Sequence, residues 1–206
     1  MKHNKVILII LIAFFTGNMF CQSIQSVEIV PYAGYMFSST LKTLDGEVKI
    51  DNGVNYGIIF DARFDEDIIV ELMYNRLETN VQIIEEPFDT IKSAFDLSIE
   101  YFQGGAQFEM EKGIFRPFAA FTLGATLFNP ANEDINSEWR FSFTFAGGIK
   151  YYFIKNIGVR LQWRFLFPVY FGGGALFCGE SGCGAAISGN TLLLQYDLTA
   201  GLVIVI

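Results

Sequence analysis

Twelve charged residues sit in the middle of strand-like segments of this 206-residue chain, six of each sign. The acids are Glu28, Asp61, Glu71, Asp96, Glu100 and Asp197; the bases are Arg63, Arg116, Arg140, Lys150, Arg160 and Arg164. Carboxylates set among guanidinium and ammonium groups can pair as salt bridges, exchange partners to pass an ion, or act together in acid–base catalysis. Catalysis by Ser-His or Asp-His pairs needs an imidazole, and the sole histidine is His3, at the extreme N-terminus. Most zinc sites need one as well. No glycine-rich phosphate loop joins a strand to a helix. Paired carboxylates such as Asp61 and Glu71 are then better read as interior packing than as an acid–base dyad. We expect no enzyme activity, no cofactor and no metal. Beyond residue 21 the cysteines are Cys178 and Cys183, in Cys-Gly-Glu-Ser-Gly-Cys. This is not the Cys-x-x-Cys spacing of a redox pair; the spacing predicts a disulfide stapling a loop tip.

The segments that must position these charges alternate in polarity. In Trp139-Arg140-Phe141-Ser142-Phe143-Thr144-Phe145 every second residue is aromatic, and the residues between are charged or hydroxylated. A period of two places the two sets on opposite faces of a strand. The pattern recurs on eight segments, near 27–38, 54–65, 68–77, 94–108, 115–128, 139–153, 157–168 and 192–206. Each is close to or above the ~9–11 residues of a tilted spanning strand. Short turns at 64–67, 111–113 and 154–156 alternate with long connectors at 39–53, 78–93, 129–138 and 169–191. That rhythm predicts an all-β fold, an eight-stranded antiparallel up-and-down transmembrane barrel with long loops at one end and short turns at the other. Apolar residues in 78–93 and 169–191 leave strand extensions, an added hairpin or ten strands open. Pro31 predicts a ladder defect in the first strand, and Gln103-Gly104-Gly105 predicts a bulge.

Residues 1–21 read as a secretory leader: Lys2, His3 and Lys5 precede the apolar run from Val6 to Phe15, which is too short to span a bilayer. Cleavage after Cys21 leaves a barrel domain over 22–206 and permits disulfides. The net charge of −8 becomes −10 once Lys2 and Lys5 are removed. Such acidity argues against nucleic acid and anionic membrane surfaces as partners.

The large apolar face is assigned to lipid. It includes Tyr56, Ile58, Phe60, Val70, Leu72, Tyr74, Phe95, Leu97, Ile99, Tyr101, Trp163 and Leu198. Trp139, Tyr151 and Phe153 lie near strand ends, where an aromatic girdle meets the headgroups. The twelve charges then face the lumen. A buried charge without a partner costs several kcal/mol, and eight strands enclose a space just wide enough for side chains to fill. The expectation is a packed, salt-bridged lumen, with a gated ion path as the sharper alternative. Acids in the long connectors (Asp45, Glu47, Asp51, Glu85, Glu86, Asp89, Glu133 and Asp134) form a solvated surface or bridge to lipopolysaccharide through divalent cations.

The leader, the alternating strands, the loop rhythm and the apolar last segment from Leu192 to Ile206 resemble the small Gram-negative outer-membrane barrels of the OmpA/OmpX type. The resemblance spans essentially 24–206 and rests on pattern. It implies an outer-membrane location and contact with lipid and lipopolysaccharide. It also implies insertion by the barrel-assembly machinery and a structural or surface-interaction role through an extracellular partner. Such barrels often end in phenylalanine; this chain ends Gly201-Leu202-Val203-Ile204-Val205-Ile206. The competing expectations are a narrow porin-like channel for ions or small solutes, and a secreted soluble barrel binding an apolar ligand.

Overall fold

The computed structural model describes residues 24–206, leaving out 39, 43–45, 66, 86–89, 111–112, 133–135, 171–173, 180–181, 188–190 and 193. It gives backbone alone at 40–42, 46–48, 83–85, 90–93, 170, 174–179, 182–187 and 191–192. The leader expected over residues 1–21 lies outside the described residues.

Thirteen strands follow in order: β1 (Ser26–Ser38), β2 (Thr40–Lys42), β3 (Gly46–Ile50), β4 (Gly53–Arg63), β5 (Ile68–Glu85), β6 (Thr90–Glu109), β7 (Phe115–Pro130), β8 (Glu138–Ile154), β9 (Ile157–Tyr170), β10 (Gly174–Gly179), β11 (Gly182–Ile187), β12 (Thr191–Leu192) and β13 (Gln195–Val205). Eight of them close a ring in the order β4-β1-β13-β9-β8-β7-β6-β5, with β5 pairing back to β4. Every pairing in the ring is antiparallel. Closure leaves no open sheet edge, the condition for β-structure to cross a bilayer.

The extra strands do not enter the ring. Much of 78–93 continues β5 and β6, paired from Ile68↔Phe108 up to Glu85↔Thr90. β2 and β3 form a hairpin laid against the upper part of β5. β10 and β11 make a separate two-stranded hairpin, with Cys178 directly opposite Cys183 in register. The barrel therefore has eight strands, and its loop end carries a tall β wall.

Pro31 has the predicted effect. The β1–β13 ladder steps from Ile29↔Ile204 to Tyr32↔Gly201, missing Val30 and Pro31, while pairing with β4 is continuous. The bulge expected at Gln103-Gly104-Gly105 is not there: the register of β6 runs unbroken through it on both sides. Side-chain-free positions let the strand curve without an inserted residue. The short turn before β7 needs Gly113, whose φ of 68° lies in the left-handed region that glycine adopts at no steric cost.

Two layers fill the interior. Towards the short-turn end it is polar and charged. Towards the loop end Met36, Ile50, Leu77, Val81, Leu97, Ile99, Phe128 and Leu166 are all almost fully buried. The outer surface inverts this. Phe60, Leu72, Phe121, Phe141, Phe145, Leu161, Trp163, Phe165 and Leu198 are each more than 40% exposed.

Candidate functional site

The lumen of the lower barrel holds an eight-residue ion-paired cluster and, above it, a separate buried pair, both built from facing walls. Nearest the short turns, the Lys150 ammonium of β8 lies 2.6 Å from Glu28, 3.0 Å from Asp61 and 3.0 Å from Glu109. Arg63 pairs with Glu109 at 2.5 Å and Glu28 at 3.5 Å, and Arg116 approaches Glu109 at 3.4 Å. The Tyr152 hydroxyl donates to Glu28 at 3.0 Å. One level up, Arg160 of β9 bridges Asp61 at 3.1 Å and Glu71 at 2.8 Å, and its Nε donates to Gln162. Above that, Arg164 grips Asp197 through Nε and Nη2, the shorter contact being 2.5 Å. Arg164 also donates to Tyr32 and Asn75, while Asn55 donates to Asp197 at 2.6 Å.

Four of these cations also lie over aromatic faces, a favourable desolvated contact, Lys150 at 5.8 Å from the Phe118 ring being the most distant. Arg160 lies 4.2 Å from the Phe118 ring, Arg164 4.6 Å from Tyr32 and Arg116 4.6 Å from Tyr152. Phe118 fits because its neighbour across the strands is Gly148, where a Cβ would stand 2.7 Å from the Phe118 ring. Lys150, Arg160 and Arg164 are at most 1% exposed. Such burial is tolerable because every charge has a partner and several have three. A hydroxyl and amide layer follows: Thr122 donates to Gln103, Gln103 to Ser142, Tyr101 to Gln195 and Gln195 to Ser38. The apolar layer then closes the loop end.

The structure places Asp61, Arg63, Glu71, Arg116, Lys150, Arg160, Arg164 and Asp197 in the lower lumen, with Glu28. Arg140 faces inward at the upper mouth and pairs with Glu138. Two assignments are overturned. Asp96 and Glu100 lie on the outer face of β6, where Glu100 accepts from Tyr74 and Arg76. Leu97, Ile99 and Tyr101, expected to face lipid, point inward and are buried, and Phe95 packs against the same core.

The reason is that polarity switches within one strand. Low on β5 and β6 the outward residues are Ile68, Leu72, Tyr74, Phe102 and Phe108; higher up they are Arg76, Glu78, Ser98 and Asp96. The strands outlast the bilayer, so the greasy face changes sides where they leave it. Reading β6 with one fixed parity starts from its upper half and inverts the whole strand. That error also hides Glu109, fully buried at the centre of the network. The signal that finds it is Phe102-x-x-x-Ala106-x-Phe108, whose even-numbered apolar positions contradict the odd-numbered ones above.

Aromatic clusters mark both ends of the apolar band. Phe102 touches both Tyr74 and Trp139 at its upper edge. Phe115, Tyr151 and Phe153 cluster at the lower edge. Trp139 and Tyr151 are twelve residues apart on β8. At ~3.3 Å per residue and ~40° tilt they are separated by ~30 Å along the barrel axis, the thickness of a hydrocarbon core.

A closed eight-stranded antiparallel barrel with a lipid-facing exterior and an ion-paired interior is the fold of the small outer-membrane β-barrels. Solved structures of that class superpose on it. The outer membrane protein OprG from Pseudomonas aeruginosa matches with a TM-score of 0.60 at 14% identity, over 90% of this chain and 98% of its own. Neisserial surface protein A matches with a TM-score of 0.57 at 13% identity, over 86% and 96%. The outer membrane protein AlkL, solved in DMPC lipid bilayers, matches with a TM-score of 0.57 at 16% identity, over 93% and 96%. No protein-family model and no curated protein sequence matches the chain.

Proposed function

We propose that the chain is an integral barrel of the outer membrane whose lumen is closed, and that its work is structural or surface-interactive, carried by the loop end. The observation behind this reading is the stacking of two seals. A layer of paired charges fills the lower lumen, and an apolar layer lies across it. An ion crossing would have to break bridges whose partners are otherwise buried, then traverse a layer lined mainly by hydrocarbon side chains.

In this reading the aromatic clusters of Trp139 and of Tyr151 with Phe153 hold the barrel at the two interfaces. Lipid covers the band between them, and lipopolysaccharide meets its upper edge. The assembly machinery inserts the chain after export, with residues 1–21 as leader. A soluble carrier with an apolar lumen fits poorly, because the large exposed side chains are outside and the charges inside. No catalytic role is assigned. Of the acids expected to coat the loop end, only Asp51 has a described side chain.

Single-channel recording of the refolded protein in planar bilayers tests the closed lumen. Insertion is confirmed first by protection from protease. Silence is expected; steady discrete currents would move the reading to a narrow channel.

The side chains of Cys178 and Cys183 lie outside the described residues, but their opposed backbone positions suit a cross-strand disulfide. Unreduced protein is expected to resist thiol alkylation and to gain two hydrogens in mass on reduction. Two freely alkylated thiols in protein exported to an oxidising compartment would reject the bond.

A further inference from the structure

The buried charges are sorted by halves of the chain. The strands β1, β4, β5 and β6 contribute Glu28, Asp61, Glu71 and Glu109 against the single base Arg63, an interior net charge of −3. The strands β7, β8, β9 and β13 contribute Arg116, Lys150, Arg160 and Arg164 against the single acid Asp197, a net charge of +3. Glu138 and Arg140 cancel within the second half. Apart from that pair, three bridges are internal to a half: Arg63 with Glu28, Arg63 with Glu109, and Arg164 with Asp197. The rest cross between halves: Lys150 with Glu28, Asp61 and Glu109, Arg160 with Asp61 and Glu71, and Arg116 with Glu109.

We propose that the barrel is assembled from two half-barrels of opposite interior charge, each of which fits the other and is barred from closing or inserting alone. The first half in lipid would carry three carboxylates without counter-ions. The second would carry three cations in the same position. Each unpaired buried charge costs several kcal/mol, so hairpin-by-hairpin insertion passes through states far above the finished barrel. Closing the β6–β7 and β1–β13 seams together is the route that leaves no charge stranded. The same sorting selects the correct partner, because two copies of one half repel each other across the lumen. Attraction between halves that have not yet met acts through water and is therefore screened by salt.

The test is the refolding rate of the full chain, signal segment removed, into phosphatidylcholine vesicles, which carry no net charge. Rates are measured by intrinsic fluorescence at about 20 mM and 500 mM salt; about three- to tenfold slowing is expected as the Debye length shrinks. The double variant Glu71→Met, Arg160→Met keeps the total charge of the protein but lowers the halves to −2 and +2. Its salt slope is expected to fall by at least a third. The exchange Glu71→Arg, Arg160→Glu lowers them to −1 and +1 and is expected to flatten the slope further in whatever fraction folds. A wild-type rate indifferent to salt would overturn the proposal, as would a slope identical in wild type and the charge-preserving variants. The wild-type arm decides the matter even if both variants fail to fold.

Discussion

Lys150→Met is expected to destabilise the barrel in vesicles at neutral pH by about 3–5 kcal/mol. The methionine fills nearly the same volume, so what is removed is the ammonium. Glu28, Asp61 and Glu109 then converge on an apolar tip within a site that is 0–2% exposed. Glu28 and Glu109 retain Arg63, and Asp61 retains Arg160. Even so, the cluster holds one negative charge too many where no water reaches it. Breaking a buried pair by removing one partner costs about 3–5 kcal/mol, a large share of the ~5–15 kcal/mol that holds a typical domain together. The measurement is the urea midpoint of the inserted fraction, followed by circular dichroism. Adding Glu109→Gln removes the surplus charge and is expected to recover a substantial part of the loss. A single variant that unfolds within about 1 kcal/mol of wild type would mean that water reaches the cluster and that the lumen is wetter than its burial indicates.

The second large effect tests the switch of faces on β6. Ile99→Asp is expected to be as damaging as the loss of Lys150. Ser98→Asp, one residue away and opposite Glu78, is expected to cost only about 1 kcal/mol. Ile99 is fully buried in the apolar layer beside Leu77 and Phe128, and a carboxylate there has no counter-ion. Ser98 sits on the outer face next to a groove lined by Arg76, Glu78, Asn80 and Asp96, above the lipid edge. Burying an uncompensated charge costs several kcal/mol; a charge on the half-buried outer face still reaches water, and its cost is the like-charge contact with Glu78. Lower on the wall the outer face is the forbidden one. Leu72→Arg, 58% exposed in the apolar band, is expected to cost about 2–4 kcal/mol because the charge then faces lipid. The same denaturation assay ranks all three. Equal tolerance of Ile99→Asp and Ser98→Asp would show that β6 is not oriented as described.

Much of this architecture is written in alternation, which is local. Phe141, Phe143 and Phe145 announce a lipid face because a strand has a period of two, and no distant contact is needed to read it. The eight segments, the short turns, the ladder gap at Pro31 and the inward direction of Arg160, Arg164 and Lys150 follow from the same rule. So does the expectation that those charges pair, since lipid on one side and a narrow lumen on the other leave no water for them.

What alternation does not carry is height. Whether residue 99 lies within the bilayer or above it depends on how far β5 and β6 overrun their neighbours, and that is set by closure of the ring. Asp96 and Glu100 were therefore legible as charged and paired with the wrong environment, and Glu109 was missed. Partner choice is equally non-local. Lys150 meets Glu28 and Asp61 only because eight tilted strands bring β8 opposite β1 and β4 across the lumen. Strand class, the two faces and the balance of charge are local properties, because each follows from the order of side chains along one strand. Which charges meet, which half supplies each sign and where the greasy face changes sides emerge only on closure, because those depend on distances across the ring.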